Sequence, residues 1–317
     1  MNYIQKGFFG EIDWWRYIIT IMIVITGAGL FSFPHSMAIA AKVATGEAEF
    51  GRVEDLNYLF SLFDANVNLA YMMLPFVGGL LFLFIAIRKI HKQTITDLTT
   101  SRDKIDWSRI LFSFFIWGGF VVLSVGLGYF LDTESFVLNI KWQPFLILCL
   151  LGLVLVPIQT SFEEYLFRGY LMQGLGVLAR NRWFPLLVTS LLFGMMHFAN
   201  PEVDKLGKLV LIYYIGTGAL LGVITLMDEG MELSLGFHAA NNLITALLVT
   251  SDWTAFQTHS IFIDISDPDL ITAIGPAFII YPILLYIFSK KYGWTNWKEK
   301  LTGDVYPINN SELDEIS

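Results

Sequence analysis

Residues Ser161-Phe162-Glu163-Glu164-Tyr165-Leu166-Phe167-Arg168-Gly169-Tyr170-Leu171 set three ionisable side chains inside or beside an apolar run. An ionised residue at the centre of a membrane helix costs about 2.5 to 3.5 kcal/mol, so three unpaired charges would forfeit roughly 7 to 10 kcal/mol. Pairing must recover part of that. Glu164 and Arg168 stand four residues apart on one helical face, whereas Glu163 is rotated by about 100° and cannot use the same partner equally well. Glu163 is thereby left available for chemistry. Taken alone, the stretch is also explained by a helix end whose Glu and Arg side chains reach back to the headgroups.

Two later segments count against that simpler explanation. Phe193-Gly194-Met195-Met196-His197 and His238-Ala239-Ala240-Asn241-Asn242 each carry polar groups in an otherwise apolar run. A lone intramembrane histidine is as often a packing hydrogen-bonder as a functional group, but three such helices follow one another closely here. At about 1.5 Å per residue, Glu163, His197 and His238 all fall near the midplane or on its cytoplasmic side, so they converge on one water-filled pocket. Asn242 shares a face with His238, four residues away, whereas Asn241 is directed at a neighbouring helix.

The surrounding composition sets the class. Of 317 residues, 55% are hydrophobic and 15% charged, and the mean hydropathy is +0.59. That apolar content, gathered in long uncharged blocks, excludes a soluble enzyme and a disordered chain. Apolar runs near 15–34, 67–87, 109–131, 144–172, 185–199, 208–227, 231–250 and 270–289 predict an all-α polytopic membrane protein of about eight transmembrane helices, bundled around a cytoplasm-facing polar cavity. No cleavable signal core precedes the first of them. The single cysteine, Cys149, offers neither an intramolecular disulfide nor a cysteine metal motif.

Basic residues orient the bundle. Fifteen of the 20 Lys and Arg residues fall on one side of this topology, including Arg88, Lys89, Lys92, Arg102, Lys104, Arg180 and Lys290. The positive-inside rule then places both termini in the cytoplasm of a multi-pass protein of the plasma membrane. The net charge of -8 reflects acidic solvated segments, among them Glu47, Glu49, Glu54 and Asp55 after the first helix and Asp252, Asp264, Asp267 and Asp269 after the seventh. Nucleic acid is not an expected partner. His91, in a basic loop, and His259, in an outer loop, are read as solvated, and His35 as interfacial. Gly218 and Gly222 predict a close helix contact.

The E-E-x-x-x-R run (Glu163, Glu164, Arg168), the F-x-x-x-H run (Phe193, His197) and the H-x-x-x-N run (His238, Asn242) resemble the three motifs of the CPBP intramembrane proteases. That family includes type II CAAX prenyl endopeptidases and bacterial relatives tied to bacteriocin processing or self-immunity. The resemblance covers about a third of the chain, Pro144 to Thr250, and every motif position matches. It divides the sequence into an N-terminal three-helix membrane region (1–143), a protease-like core (144–250) and an outer loop, last helix and polar tail (251–317).

What the resemblance implies is hydrolysis of a peptide bond in a membrane-associated peptide or protein. Glu163 would activate water, His197 hold it, His238 and Asn242 stabilise the oxyanion, and Glu164 with Arg168 form the supporting pair. The chemistry agrees, since a carboxylate withdrawn from bulk water is a stronger base and preorganised donors favour a developing alkoxide. No cofactor is required on this reading. Zinc is the alternative, with Glu163, His197 and His238 as ligands and an open position for water. It is disfavoured because the chain lacks a helical H-E-x-x-H motif and Asn242 is a poor zinc ligand. Two non-proteolytic readings stand beside this one: a catalytically silent scaffold or immunity protein that binds through the same cavity, and a proton-coupled transporter. The second lacks the broken helices of an internal repeat.

Overall fold

The computed structural model describes residues 2–53 and 55–307. Glu54 of the acidic loop and the polar tail from 308 onward lie outside them. Each expected span is a helix. In chain order these are α1 (Trp14–Ala44), α2 (Ala65–Lys89), α3 (Trp107–Leu131), α4 (Trp142–Ala179), α5 (Trp183–Met196), α6 (Leu211–Asp228), α7 (Glu232–Leu248) and α8 (Leu270–Tyr292). Six of them, α1 to α4, α6 and α8, are long and apolar enough to cross a membrane. With 14 residues in α5 and 17 in α7, the other two fall short of the roughly 20 that a straight crossing takes.

Two helices outrun their expected ends. α1 continues through Pro34 to Ala44, because a proline removes only one backbone bond and the alanines at 38, 40, 41 and 44 favour helix strongly. α4 runs on to Ala179 with a π-helical segment, Tyr165–Leu171, in its middle. The all-helical expectation also needs one amendment. β1 (Phe136–Leu138), β2 (Val249–Thr250) and β3 (Phe262–Asp264) form a small sheet in the order β1-β3-β2, antiparallel between β1 and β3 and parallel between β3 and β2. The loops after α3 and α7 lie side by side here, and pairing satisfies backbone groups that would otherwise have only water. Tyr129, Phe136 and Phe262 pack their rings against this sheet.

The helices alternate in direction, which brings the N-terminal segment, the turns 90–106, 180–182 and 229–231, and residues 293–307 to one end of the bundle. An ionic cluster ties that end together. Asp228 accepts from Arg102, Arg109 and the Trp294 indole, and Glu232 accepts from Arg102. Glu229 pairs with Arg182 and accepts from the backbone of Tyr3. His91 is buried there rather than solvated: its Nδ1 donates to the Glu11 carbonyl at 2.8 Å and its Nε2 meets the Tyr170 hydroxyl at 3.0 Å. Contacts to partners about 80 residues away overrode its polar local sequence. At the opposite end His259 pairs with Asp64 at 2.8 Å, and His35 stacks on Tyr71.

Packing brings the motif helices together. α2 and α7 both lie against α4, α3 lies against α7, and α5 against α6. The close contact expected at Gly218 and Gly222 is made with α5, since a β-carbon at Gly218 would strike the Ser190 backbone and one at Gly222 the Leu186 side chain. Gly236 likewise lets α7 approach the α3 backbone at Ile110.

Candidate functional site

Glu163 and Glu164 end the regular α-helical part of α4, and Arg168 lies in the π-helical segment that follows. A π-turn widens the helix by one residue and is commonly found at functional sites. Here the four-residue pairing still closes, with Arg168 Nη1 donating to Glu164 Oε1 at 2.7 Å. Both side chains are fully buried. Arg168 Nη2 donates to the Gly218 carbonyl of α6 at 3.2 Å, and the guanidinium rests 4.3 Å from the Phe193 ring centroid. A buried cation is tolerable only with such compensation.

His238 joins the same carboxylate. Its Nδ1 lies 2.7 Å from Glu164 Oε1, while Nε2 faces Glu163 Oε2 at 3.4 Å. A carboxylate only accepts, so Nδ1 carries the proton and Nε2 is the nitrogen turned to Glu163. His197 caps the end of α5, where Nδ1 lies 2.8 Å from the Phe193 carbonyl. That carbonyl also only accepts, so His197 holds its proton on Nδ1 and keeps the Nε2 lone pair free. Its ring stacks on Tyr214 at 4.2 Å and leans on Phe193, which touches His238 as well. Phe193 thus touches both imidazoles and the Arg168 guanidinium. Glu163, His238 and Arg168 are all close enough to act on His197 electrostatically.

Asn242 completes the set through a residue the motifs do not contain. Its Nδ2 donates to Gln159 Oε1 at 3.0 Å, and Gln159 Nε2 donates to Glu163 Oε1 at 2.7 Å. Gln159 stands four residues before Glu163, on the same helical face, and that spacing was the signal that could have found it. Asn241 reaches a neighbouring helix, accepting from the Trp117 indole of α3 at 3.0 Å. The six expected residues therefore gather in one place. They divide by access: Glu164, Arg168 and His238 are buried, whereas Glu163, His197 and Asn242 are partly open. Glu163 Oε2 accepts no hydrogen bond from the described residues.

Both histidines already commit Nδ1 to protein acceptors, so any metal would have to use their Nε2 atoms. Among the described residues no three His, Cys, Asp or Glu side chains converge as a metal-holding group. Of the set Glu163, His197 and His238, the first and last face each other directly, Oε2 to Nε2.

Residues 141–244 match the family model of type II CAAX prenyl endopeptidase Rce1-like proteins. That stretch contains all six candidate residues and links the chain to CAAX-type proteases in the broad sense. The chain is also similar to the uncharacterized protein YyaK of Bacillus subtilis (strain 168), 29% identical over 251 residues that cover 79% of this chain and 83% of that protein. No solved structure matches.

Proposed function

We propose that the protein is an intramembrane endopeptidase that hydrolyses a peptide bond of a membrane-associated substrate with water activated by Glu163. The observation that carries this reading is the division of labour around His238. Glu164 is fully buried and accepts from both Arg168 and His238, while Glu163 is partly open, accepts only from the neutral Gln159 amide and faces His238 Nε2. In the reaction Glu163 takes a proton from water held at His197 Nε2, and the hydroxide adds to the scissile carbonyl carbon. The resulting oxyanion is stabilised by His238 and by the Asn242 amide. Glu163 then returns the proton to the leaving nitrogen as the C–N bond breaks, giving a carboxylic acid and an amine.

Eight membrane passages, cytoplasmic termini and a site open to the cytoplasm belong to the same proposal. They are supported by the alternating helices and by the clustering of basic residues at one end. No metal is needed, because a carboxylate beside preorganised donors supplies base and oxyanion stabilisation together. The test compares new peptide termini across the proteome of cells carrying the native protein or Glu163→Gln. Termini present only with the native protein are expected. Identical sets would defeat hydrolysis and leave a binding protein on the same scaffold.

A further inference from the structure

Four hydrogen bonds connect α3 to the carboxylate of Glu163 without interruption. The Trp117 indole donates to Asn241 Oδ1, Asn241 Nδ2 to Asn242 Oδ1, Asn242 Nδ2 to Gln159 Oε1, each at 3.0 Å, and Gln159 Nε2 to Glu163 Oε1 at 2.7 Å. Each amide between the ends has an oxygen and a nitrogen that could exchange places. The ends cannot exchange, because an indole N–H only donates and a carboxylate only accepts. Turning any one amide sets nitrogen against donor and oxygen against acceptor, breaking two bonds in a half-buried place. The direction of the whole chain is therefore imposed from outside the motifs. Trp117 is itself buried, being 7% exposed, and packed on Phe237 and Tyr281.

We infer that Trp117, Asn241 and Gln159 are positioning residues which make the site one-way: Trp117 sets the polarity, so that Asn242 presents its amide N–H groups and Glu163 always receives a donor on Oε1. This deepens the protease reading and rests on it for the roles of Asn242 and Glu163. The chain has a chemical consequence. Asn242 Nδ2 spends one N–H on Gln159 and retains the other for a developing oxyanion, whereas a reversed Asn242 would offer an oxygen lone pair and repel it. Glu163, with Oε1 tied to Gln159, is oriented so that Oε2 is left towards His238 Nε2. Hydrogen bonds aligned donor to acceptor also polarise one another, so a change at one end is felt at the other.

Two substitutions break direction while keeping shape. Trp117→Phe removes the indole donor and leaves an aromatic ring. Asn241→Asp is isosteric and still accepts from Trp117, but its carboxylate has no N–H for Asn242; the Asn242 amide turns towards it and Gln159 turns after it. Both should slow the appearance of Glu163-dependent termini by about tenfold, the equivalent of one ordinary hydrogen bond lost from the productive geometry. A second measurement does not depend on cleavage. In the full-length protein in detergent micelles, labelled with [15N]tryptophan, the Trp117 indole resonance is the one lost in Trp117→Phe. Gln159→Met cuts the chain two residues beyond Asn241, and the Trp117 indole proton should then move upfield and exchange faster with solvent. An indole resonance unmoved in Gln159→Met, or full-rate cleavage in both Trp117→Phe and Asn241→Asp, overturns the inference. If no termini depend on Glu163 at all, the protease reading falls, and the indole resonance decides the amide chain alone.

Discussion

His238 sits between two adjacent carboxylates and treats them differently, binding Glu164 through Nδ1 at 2.7 Å and facing Glu163 through Nε2 at 3.4 Å. The difference arises on α4, where neighbouring residues are turned by about 100° and cannot meet one imidazole in the same way. Glu164 is then closed by Arg168. Glu163 accepts instead from a neutral amide, the Gln159 side chain. Two chemically identical side chains thus acquire different partners and different burial from position alone.

Glu163→Gln should abolish cleavage and leave expression and helix content native, since shape and hydrogen-bonding capacity are kept while the base is lost. Circular dichroism and terminus profiling of the same preparation check this together. Normal turnover would remove Glu163 from the chemistry.

Arg168→Ala should lower stability as well as activity. It leaves Glu164 buried without its cation, which costs about 3 to 5 kcal/mol for a pair closed to water. Thermal unfolding in detergent is the measurement, and an unchanged midpoint would place the pair in contact with solvent.

His91 predicts a pH effect far from the site. Burial, joined by the nearby Arg16 guanidinium, holds its pKa below the usual histidine value. Between the two values the unfolded chain binds more protons than the folded one, so stability rises with pH. The contribution is complete above the ordinary value near 6.5 and is lost as pH falls from there through the folded value. Plotting unfolding midpoints against pH, the native protein should decline on acidification more steeply than His91→Gln. Equal slopes would show that His91 stays reachable by protons when folded.

A reporter fused to the C-terminus should be cytoplasmic, and a tag placed in 252–269 should be labelled from outside intact cells. Labelling that appears only after permeabilisation would invert the bundle.

Chelator treatment should leave most of the activity in place, and elemental analysis should find zinc well below one per chain. One zinc per chain, lost with activity in His197→Ala and His238→Ala and regained on adding zinc, would replace the glutamate mechanism with a metal one.

The legible part of this site was its most costly part. Glu163, Glu164, Arg168, His197 and His238 stand out because ionisable groups in apolar helices demand explanation. Gln159 and Trp117 did not, since a glutamine in a helix and a tryptophan in a span are both common without purpose; only their three-dimensional neighbours give them direction. His91 was misread for the same reason. The π-turn at Tyr165–Leu171 leaves no trace in composition, and the small sheet is built from strands of two or three residues, too short for alternation to register. The cluster of Arg102, Arg109, Asp228 and Glu232 was hidden because each member lies in a turn or at a helix end, where charge is ordinary.

Tyr3 links the bundle to the order in which the chain is synthesised. Its side chain is fully buried. The hydroxyl donates to the carbonyls of Leu98 and Arg168, and its backbone N–H to Glu229. Those partners leave the ribosome 95, 165 and 226 residues after it. At translation rates of about 5 to 20 residues per second, the last is made some tens of seconds to about ten seconds later. The N-terminal segment therefore cannot complete these three contacts until six helices have been made and the α6–α7 turn has arrived. A chain released before residue 229 keeps the Leu98 and Arg168 carbonyls for the Tyr3 hydroxyl but lacks the Glu229 carboxylate that holds its backbone.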